Sequence, residues 1–139
     1  MNHNQIAKLL LQINAIKLEP KNPFIWSSGK KSPIYCDNRI ILSYTKERNI
    51  IKDLFCKYIK KEFHSTQYVA GVATGAIAYG MMVASKINLP FIYVRDTAKK
   101  HGRQNQIEGD LKKRSSVVVI EDLISTGKSS KKAIEAIER

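Results

Sequence analysis

The stretch Val117-Val118-Val119-Ile120-Glu121-Asp122-Leu123-Ile124-Ser125-Thr126-Gly127-Lys128-Ser129 constrains the fold more than any other part of the chain. Four consecutive β-branched residues suit a strand buried on both faces, as in a parallel sheet. Two carboxylates close the run. A turn of Ser, Thr and Gly follows, and residues 129–139 read as a helix. In an open α/β sheet, ligands bind beyond the carboxyl ends of the strands. A hydroxyl- and glycine-rich turn that opens a helix presents N–H groups, hydroxyls and the positive end of a dipole, which together make a seat for phosphate. Carboxylates beside that seat would repel a phosphate. Glu121 and Asp122 therefore predict a different partner, either sugar hydroxyls or a metal.

Thr126-Gly127-Lys128-Ser129 also mimics the end of the nucleotide-binding loop G-x-x-x-x-G-K-[ST]. The first glycine of such a loop would fall at Asp122. A carboxylate there would face the phosphates the loop has to wrap, so this reading is set aside.

Two further strand-to-turn passages match the first. Tyr68 to Ala73 reads as a strand running into Thr74-Gly75-Ala76, with a helix after it through Ile77, Met81 and Ala84. Small residues at such a turn let the backbone approach an anion closely. Phe91 to Val94 is a third apolar strand, followed by a basic, polar loop over 95–109. A loop of that length in a compact domain is typically a lid or a disordered segment. Strands at 68–73, 91–94 and 117–121, alternating with helices, predict a right-handed parallel α/β sheet. The loops at 74–76, 95–109 and 122–129 all leave carboxyl ends of strands and are expected to converge on one site.

The N-terminal third differs in character. Ile6, Leu9, Leu10, Ile13 and Ile16 recur at helical spacing and predict an amphipathic helix over 4–18, stopped before Pro20. Residues 20–44 are punctuated by Pro20, Pro23, Gly29 and Pro33, and predict short strands in a hairpin. Residues 45–63 predict a helix capped by Thr45, with Ile51, Leu54, Phe55, Tyr58 and Ile59 on its apolar face.

The length of 139 residues is enough for one domain, read as 1–44 leading into a 45–139 α/β core. The net charge of +12 favours anionic ligands. No aromatic residues interleave the basic clusters, which disfavours nucleic acid. No apolar run reaches the ~18 residues of a membrane span. Cys36 and Cys56 lack CxxC spacing, no secretory signal is visible, and a reduced cytoplasmic protein is expected. The three histidines lack H-x-x-x-H spacing, so no metal site built from protein ligands alone is expected.

The 117–129 pattern (apolar run, two acids, two apolar residues, then S/T-x-G-x-S/T) resembles the phosphoribosyl pyrophosphate (PRPP) signature of type I phosphoribosyltransferases. Phe24-Ile25-Trp26-Ser27-Ser28-Gly29 and Ser32-Pro33-Ile34-Tyr35-Cys36-Asp37-Asn38-Arg39 resemble the N-terminal hood of the orotate phosphoribosyltransferases within that family. The resemblance implies a Rossmann-like core with an N-terminal helix and β hood. It implies transfer of phosphoribose from PRPP to orotate, giving orotidine 5′-monophosphate and pyrophosphate. Glu121 and Asp122 would bind the ribose, and Leu123 to Ser129 the 5′-phosphate. Thr74 and Gly75 would face the pyrophosphate, together with Arg95, Lys99 and His101 of the loop. Lys99, His101 and Asp122 would carry the catalysis. Orotate would lie near Ser125 and near the backbone at Tyr35 and Cys36. Mg²⁺ would arrive on PRPP rather than on protein ligands alone. The resemblance also implies a homodimer in which loop 95–109 completes the neighbouring site.

Some members carry lysine where this chain has Ser27 and Asp96, and some carry one near Gly75. The family core normally has further strands beyond residue 139, together with an arginine that grips orotate, so a C-terminally shortened chain with weak turnover of orotate is expected. A purine-type phosphoribosyltransferase and a non-catalytic, PRPP-sensing regulator that binds nucleic acid are the alternatives.

Overall fold

Asn2 starts the first helix by a reciprocal pair of bonds. Its side chain accepts the Gln5 amide at 3.0 Å, and Gln5 Oε1 accepts the Asn2 amide at 2.8 Å. This is a capping box, which satisfies donors that the first turn leaves unpaired. The computed structural model describes residues 2–26, 29–97 and 106–139. The chain divides into two compact units, Met1–Asn49 and Ile50–Arg139.

In the first unit, helix α1 spans His3–Gln12 and is shorter than the apolar spacing predicted. Asn14 takes a left-handed φ of 56°. The amides of Asn14 and Ala15 turn back onto the carbonyls of Leu11 and Leu10 at 3.1 and 2.9 Å. That is a Schellman ending, with Asn in the place where Gly is commonest. Ile16 therefore begins strand β1, Ile16–Leu18, instead of extending the helix. Strand β1 pairs antiparallel with β4, Ile34–Cys36. Between them, β2 (Phe24–Ile25) pairs antiparallel with β3 (Lys31–Ser32), which is the expected hairpin. Trp26 Nε1 donates to the Ile34 carbonyl at 3.0 Å. A 3₁₀ turn, Asn38–Ser43, follows from Asp37, whose carboxylate accepts the Arg39 amide.

Helix α2 spans Thr45–Glu62. The Tyr44 carbonyl accepts the Arg48 amide at 2.8 Å, so the cap falls one residue before the expected Thr45. Of the expected apolar face, Ile51, Leu54 and Phe55 are half-buried and Ile59 is buried, and Tyr58 alone departs from it. Cys56 is buried as well, whereas Tyr58 is 59% exposed.

The second unit is built around β5, Tyr68–Val72, every residue of which is buried. Strand β5 pairs in parallel with β6, Phe91–Val94, on one side and with β8, Val117–Ile120, on the other. Strand β7, Ile107–Glu108, runs antiparallel to β6, giving the order β7-β6-β5-β8. The sheet is thus mixed: the parallel core is as expected, and the end of the predicted loop returns as an edge strand. The period of two along β5 divides its neighbours between the two faces. Tyr68, Ala70 and Val72 join clusters with Ile92, Val94, Val119 and the buried Ala133 and Ala136 of helix α4, Lys128–Ile137. On the opposite face, helix α3, Ala76–Ile87, buries Ala76, Tyr79, Gly80, Val83 and Ala84. Full burial of each Val or Ile side chain stabilises the unit by about 1.5–3 kcal/mol. Gly71 permits the α3 contact, since a β-carbon there would lie 2.7 Å from the Ala76 carbonyl oxygen.

Candidate active site

The parallel arrangement of β6, β5 and β8 brings three carboxyl ends side by side, and the predicted site residues at 74–75, 95 and 121–129 follow them. After β5 come Thr74, exposed, and Gly75, half-buried, at the start of α3. After β8 come Glu121 and Asp122, both half-buried. Leu123 and Ile124 then project outward at 50% and 66% exposure, although they are apolar. Ser125 and Thr126 are exposed, and Gly127 takes a φ of 76° before α4 begins. That left-handed step is strained for any residue with a β-carbon, and it turns the chain into the helix. The Lys128 amide lies 3.4 Å from Thr126 Oγ1, and the Lys131 amide donates to the Gly127 carbonyl at 2.9 Å. Lys128 and Ser129 are exposed in the first turn of α4, where unpaired amides and the dipole favour an anion.

The two turns meet. A β-carbon built on Gly75 would overlap the Asp122 carboxylate, so that carboxylate lies directly against the first turn of α3. Its neighbour Glu121 has a carboxyl pushed up to about 7, first by burial and then by its hydrogen bond with Asp122. The Asp122 amide, at 3.2 Å from Glu121 Oε1, and the Ser130 side chain oppose that shift. A buried acid beside a second acid resists ionisation. The pair can thus hold a proton near neutrality, or surrender it to a ligand that donates hydroxyl hydrogen bonds. Among the described residues, no group of three or more His, Cys, Asp or Glu side chains is placed to hold a metal ion.

A cleft of about 350 Å³ lies between the ends of β5 and β6, lined by residues that include Thr74, Ile77, Tyr93, Arg95 and Asp96. Tyr93 and Ile77 escaped the sequence reading because they look like ordinary core positions; only their place at the strand end and in the first turn of the helix puts them at the cleft. Arg95 Nη1 lies 3.6 Å from Glu108 Oε1 of β7. Asp96 accepts from Lys132 of α4 at 2.6 Å, and that bond and charge hold its carboxyl below the ordinary range. Neither partner was foreseen, because both pairings cross between elements whose adjacency depends on strand order.

Lys99 and His101, expected in the 95–109 loop, lie outside the described residues, as does Ser27. Tyr35 and Cys36 lie on β4 in the first unit, where the Tyr35 ring packs 5.4 Å from that of Phe24. Cys36 Sγ lies 3.3 Å from Asn38 Oδ1.

A mixed sheet whose parallel strands end in an acid pair, a hydroxyl-rich helix-opening turn and a second small-residue turn defines an α/β domain with its polar turns gathered at one end of the sheet. The profile of the phosphoribosyl transferase domain matches residues 40–139. Orotate phosphoribosyltransferase of Phocaeicola vulgatus is 57% identical over 133 residues, covering 96% of this chain and 63% of the relative. That of Streptococcus thermophilus is 52% identical, covering 98% of this chain and 65% of the relative. The crystal structure of orotate phosphoribosyltransferase from Aeropyrum pernix superposes with a TM-score of 0.79 at 32% identity, covering 95% of this chain and 72% of that one. The chain belongs to the phosphoribosyltransferase family, on its orotate phosphoribosyltransferase branch. It spans a little under two thirds of the length of the curated relatives it matches.

Proposed function

We propose that this chain supplies the PRPP-binding core of an orotate phosphoribosyltransferase, acting as a cytoplasmic homodimer in pyrimidine nucleotide synthesis. The observation that carries this reading is the contact between the two turns. The Asp122 carboxylate lies against the Gly75 turn. A ribose held by the acid pair would therefore have its 5′-phosphate directed toward the Ser125–Ser129 turn and its diphosphate toward the Thr74–Gly75 turn. The resemblance to the curated relatives over most of this chain supports the same reading.

In the proposed reaction, N1 of orotate forms a bond to C1′ of PRPP as the C1′–O bond to pyrophosphate breaks. The charge of orotate sits on its carboxylate, so the N1 proton also leaves as the new bond forms, and it passes to water or to an oxygen of the departing pyrophosphate. Catalysis is mainly electrostatic. Arg95, Lys99 and His101 stabilise charge on the departing pyrophosphate, and Glu121 and Asp122 bind the ribose hydroxyls and favour positive charge on the sugar. The adjacent carboxylates of Glu121 and Asp122 are oxygen donors of the kind that suits a hard cation brought in by the diphosphate. Mg²⁺ bound there would supply further charge neutralisation. The 95–109 loop, donated by the partner subunit, would exclude water from the site and suppress hydrolysis of PRPP.

The test is a product assay with PRPP, Mg²⁺ and each of orotate, adenine, hypoxanthine and uracil, alongside calorimetry of PRPP binding. Binding of PRPP together with orotidine monophosphate formation from orotate alone is expected. Preference for a purine would overturn the orotate assignment. Absence of PRPP binding would overturn the site.

A further inference from the structure

Three contacts build the stem between the end of β6 and β7. The Arg95 amide donates to the Gln106 carbonyl at 2.9 Å, and Gln106 Nε2 donates to the Arg95 carbonyl at 3.1 Å. These two bonds hold the Arg95 backbone. The third contact reaches its side chain, where Nη1 lies 3.6 Å from Glu108 Oε1. Glu108 stands opposite Tyr93 in the antiparallel register, so its own backbone is held by the sheet. Its side chain is 23% exposed and Oε1 is shut off from solvent. Arg95 is more open, at 40%, and lines the cleft that Thr74 also borders. Glu108 is not among the residues lining that cleft.

We propose that Glu108 is a positioning residue for Arg95: its carboxylate holds the guanidinium at the cleft beside Thr74, already ordered for the diphosphate of the substrate. The inference rests on reading that cleft as the pyrophosphate seat. An arginine side chain has many rotamers, and its guanidinium presents five donors in a planar fork. A 3.6 Å ion pair on one nitrogen leaves donors of the fork for a ligand. Ordering the side chain before binding removes that cost from the binding step. Pairing with Arg95 also offsets part of the cost of holding a half-buried carboxylate beside an anion site.

The sign of one substitution separates positioning from simple charge. If Glu108 only diluted positive potential, Glu108→Gln would tighten pyrophosphate. If it positions Arg95, Glu108→Gln weakens pyrophosphate although it makes the site more positive.

The experiment is calorimetry of Mg²⁺-pyrophosphate binding to the wild type, Glu108→Gln, Glu108→Asp, Arg95→Ala and the double variant Arg95→Ala/Glu108→Gln. It is accompanied by thermal melting and by ¹⁵N relaxation of the Arg95 Nε–Hε group. Expected are a loss of roughly 10-fold in Glu108→Gln, within the range for directly coupled residues, and no further loss when it is added to Arg95→Ala. Greater mobility of Arg95 Nε–Hε in Glu108→Gln is also expected. Glu108→Asp keeps the charge at shorter reach and should fall between wild type and Glu108→Gln, which keeps the test usable if Glu108→Gln does not fold. Unchanged or tighter binding in both Glu108 variants overturns the inference, and so does a loss that adds fully to that of Arg95→Ala. If Arg95→Ala binds pyrophosphate as well as the wild type, the pyrophosphate reading of the cleft falls and takes the inference with it.

Discussion

The Asp122 carboxylate occupies the space that a β-carbon on Gly75 would need. The acid pair after β8 and the turn after β5 are therefore one structure, joined across two neighbouring parallel strands. A side chain at position 75 has to move Asp122 or the first turn of α3. Gly75→Ala is expected to weaken PRPP at least about 10-fold by turning the Asp122 carboxylate aside, with little loss of stability because only the end of a side chain has to move. Calorimetry against PRPP and chemical denaturation test this together. An alanine variant that binds PRPP like the wild type would show that the contact is incidental.

Asp122→Asn keeps the shape of the acid while removing its charge. A fall in kcat/KM of about 10-fold or more is expected, with a fall in Glu121→Gln as well, since a positioned charge acts on the transition state. Steady-state kinetics with PRPP and orotate provide the measurement. Unchanged values in both variants would remove the acid pair from the ribose.

The Glu121 carboxyl, raised from an ordinary 4.5 to about 7, predicts a pH dependence of stability. The native state holds this proton more tightly than the unfolded chain does. Between pH 4.5 and about 7 the native state binds more protons, so this contribution falls as pH rises. It is fully present below 4.5 and lost above about 7. Glu121→Gln should remove that component, so that melting temperature changes less steeply with pH across the window. Identical slopes for the two proteins would show that Glu121 ionises normally.

Gly71→Ala would place a β-carbon 2.7 Å from the Ala76 carbonyl oxygen, a backbone atom that cannot swing aside. The variant has to push α3 away from β5, and a loss of about 1–3 kcal/mol is expected. Urea denaturation gives the number, and a neutral result would mean that the strand–helix spacing is more elastic than the packing suggests.

A mixture of Lys99→Ala and Asp122→Asn chains tests whether the 95–109 loop acts across a dimer. Each variant alone is expected to lose about nine tenths of the activity or more. Subunit exchange should restore part of the activity, because one site of a mixed dimer carries neither change. No recovery after confirmed exchange would place the loop in its own subunit's site.

Much of the core was legible from local pattern. The β-branched run at 117–120 and the apolar run at 91–94 are strands because nothing else suits such residues between polar turns. Small residues at Thr74-Gly75 and hydroxyls at Ser125-Thr126 mark strand-to-helix turns, and alternation with helices put those turns at one end of the sheet. Local pattern failed where two signals competed. The apolar spacing through Ile16 argued for more helix, and a left-handed Asn14 ended it earlier. The short edge strand at Ile107–Glu108 was hidden in a polar stretch, because two residues carry no periodicity.

Residues within a few positions of one another dictate the order of strands and helices along the chain, the acid pair and the two small-residue turns. Only the tertiary structure decided which side chains meet. Gly75 touches Asp122, Arg95 faces Glu108 and Lys132 reaches Asp96 because the sheet runs β7-β6-β5-β8. That order is set by which long-range pairings bury the most surface and leave the fewest backbone groups unpaired. Such a balance belongs to the whole sheet, and no single stretch of the chain contains it.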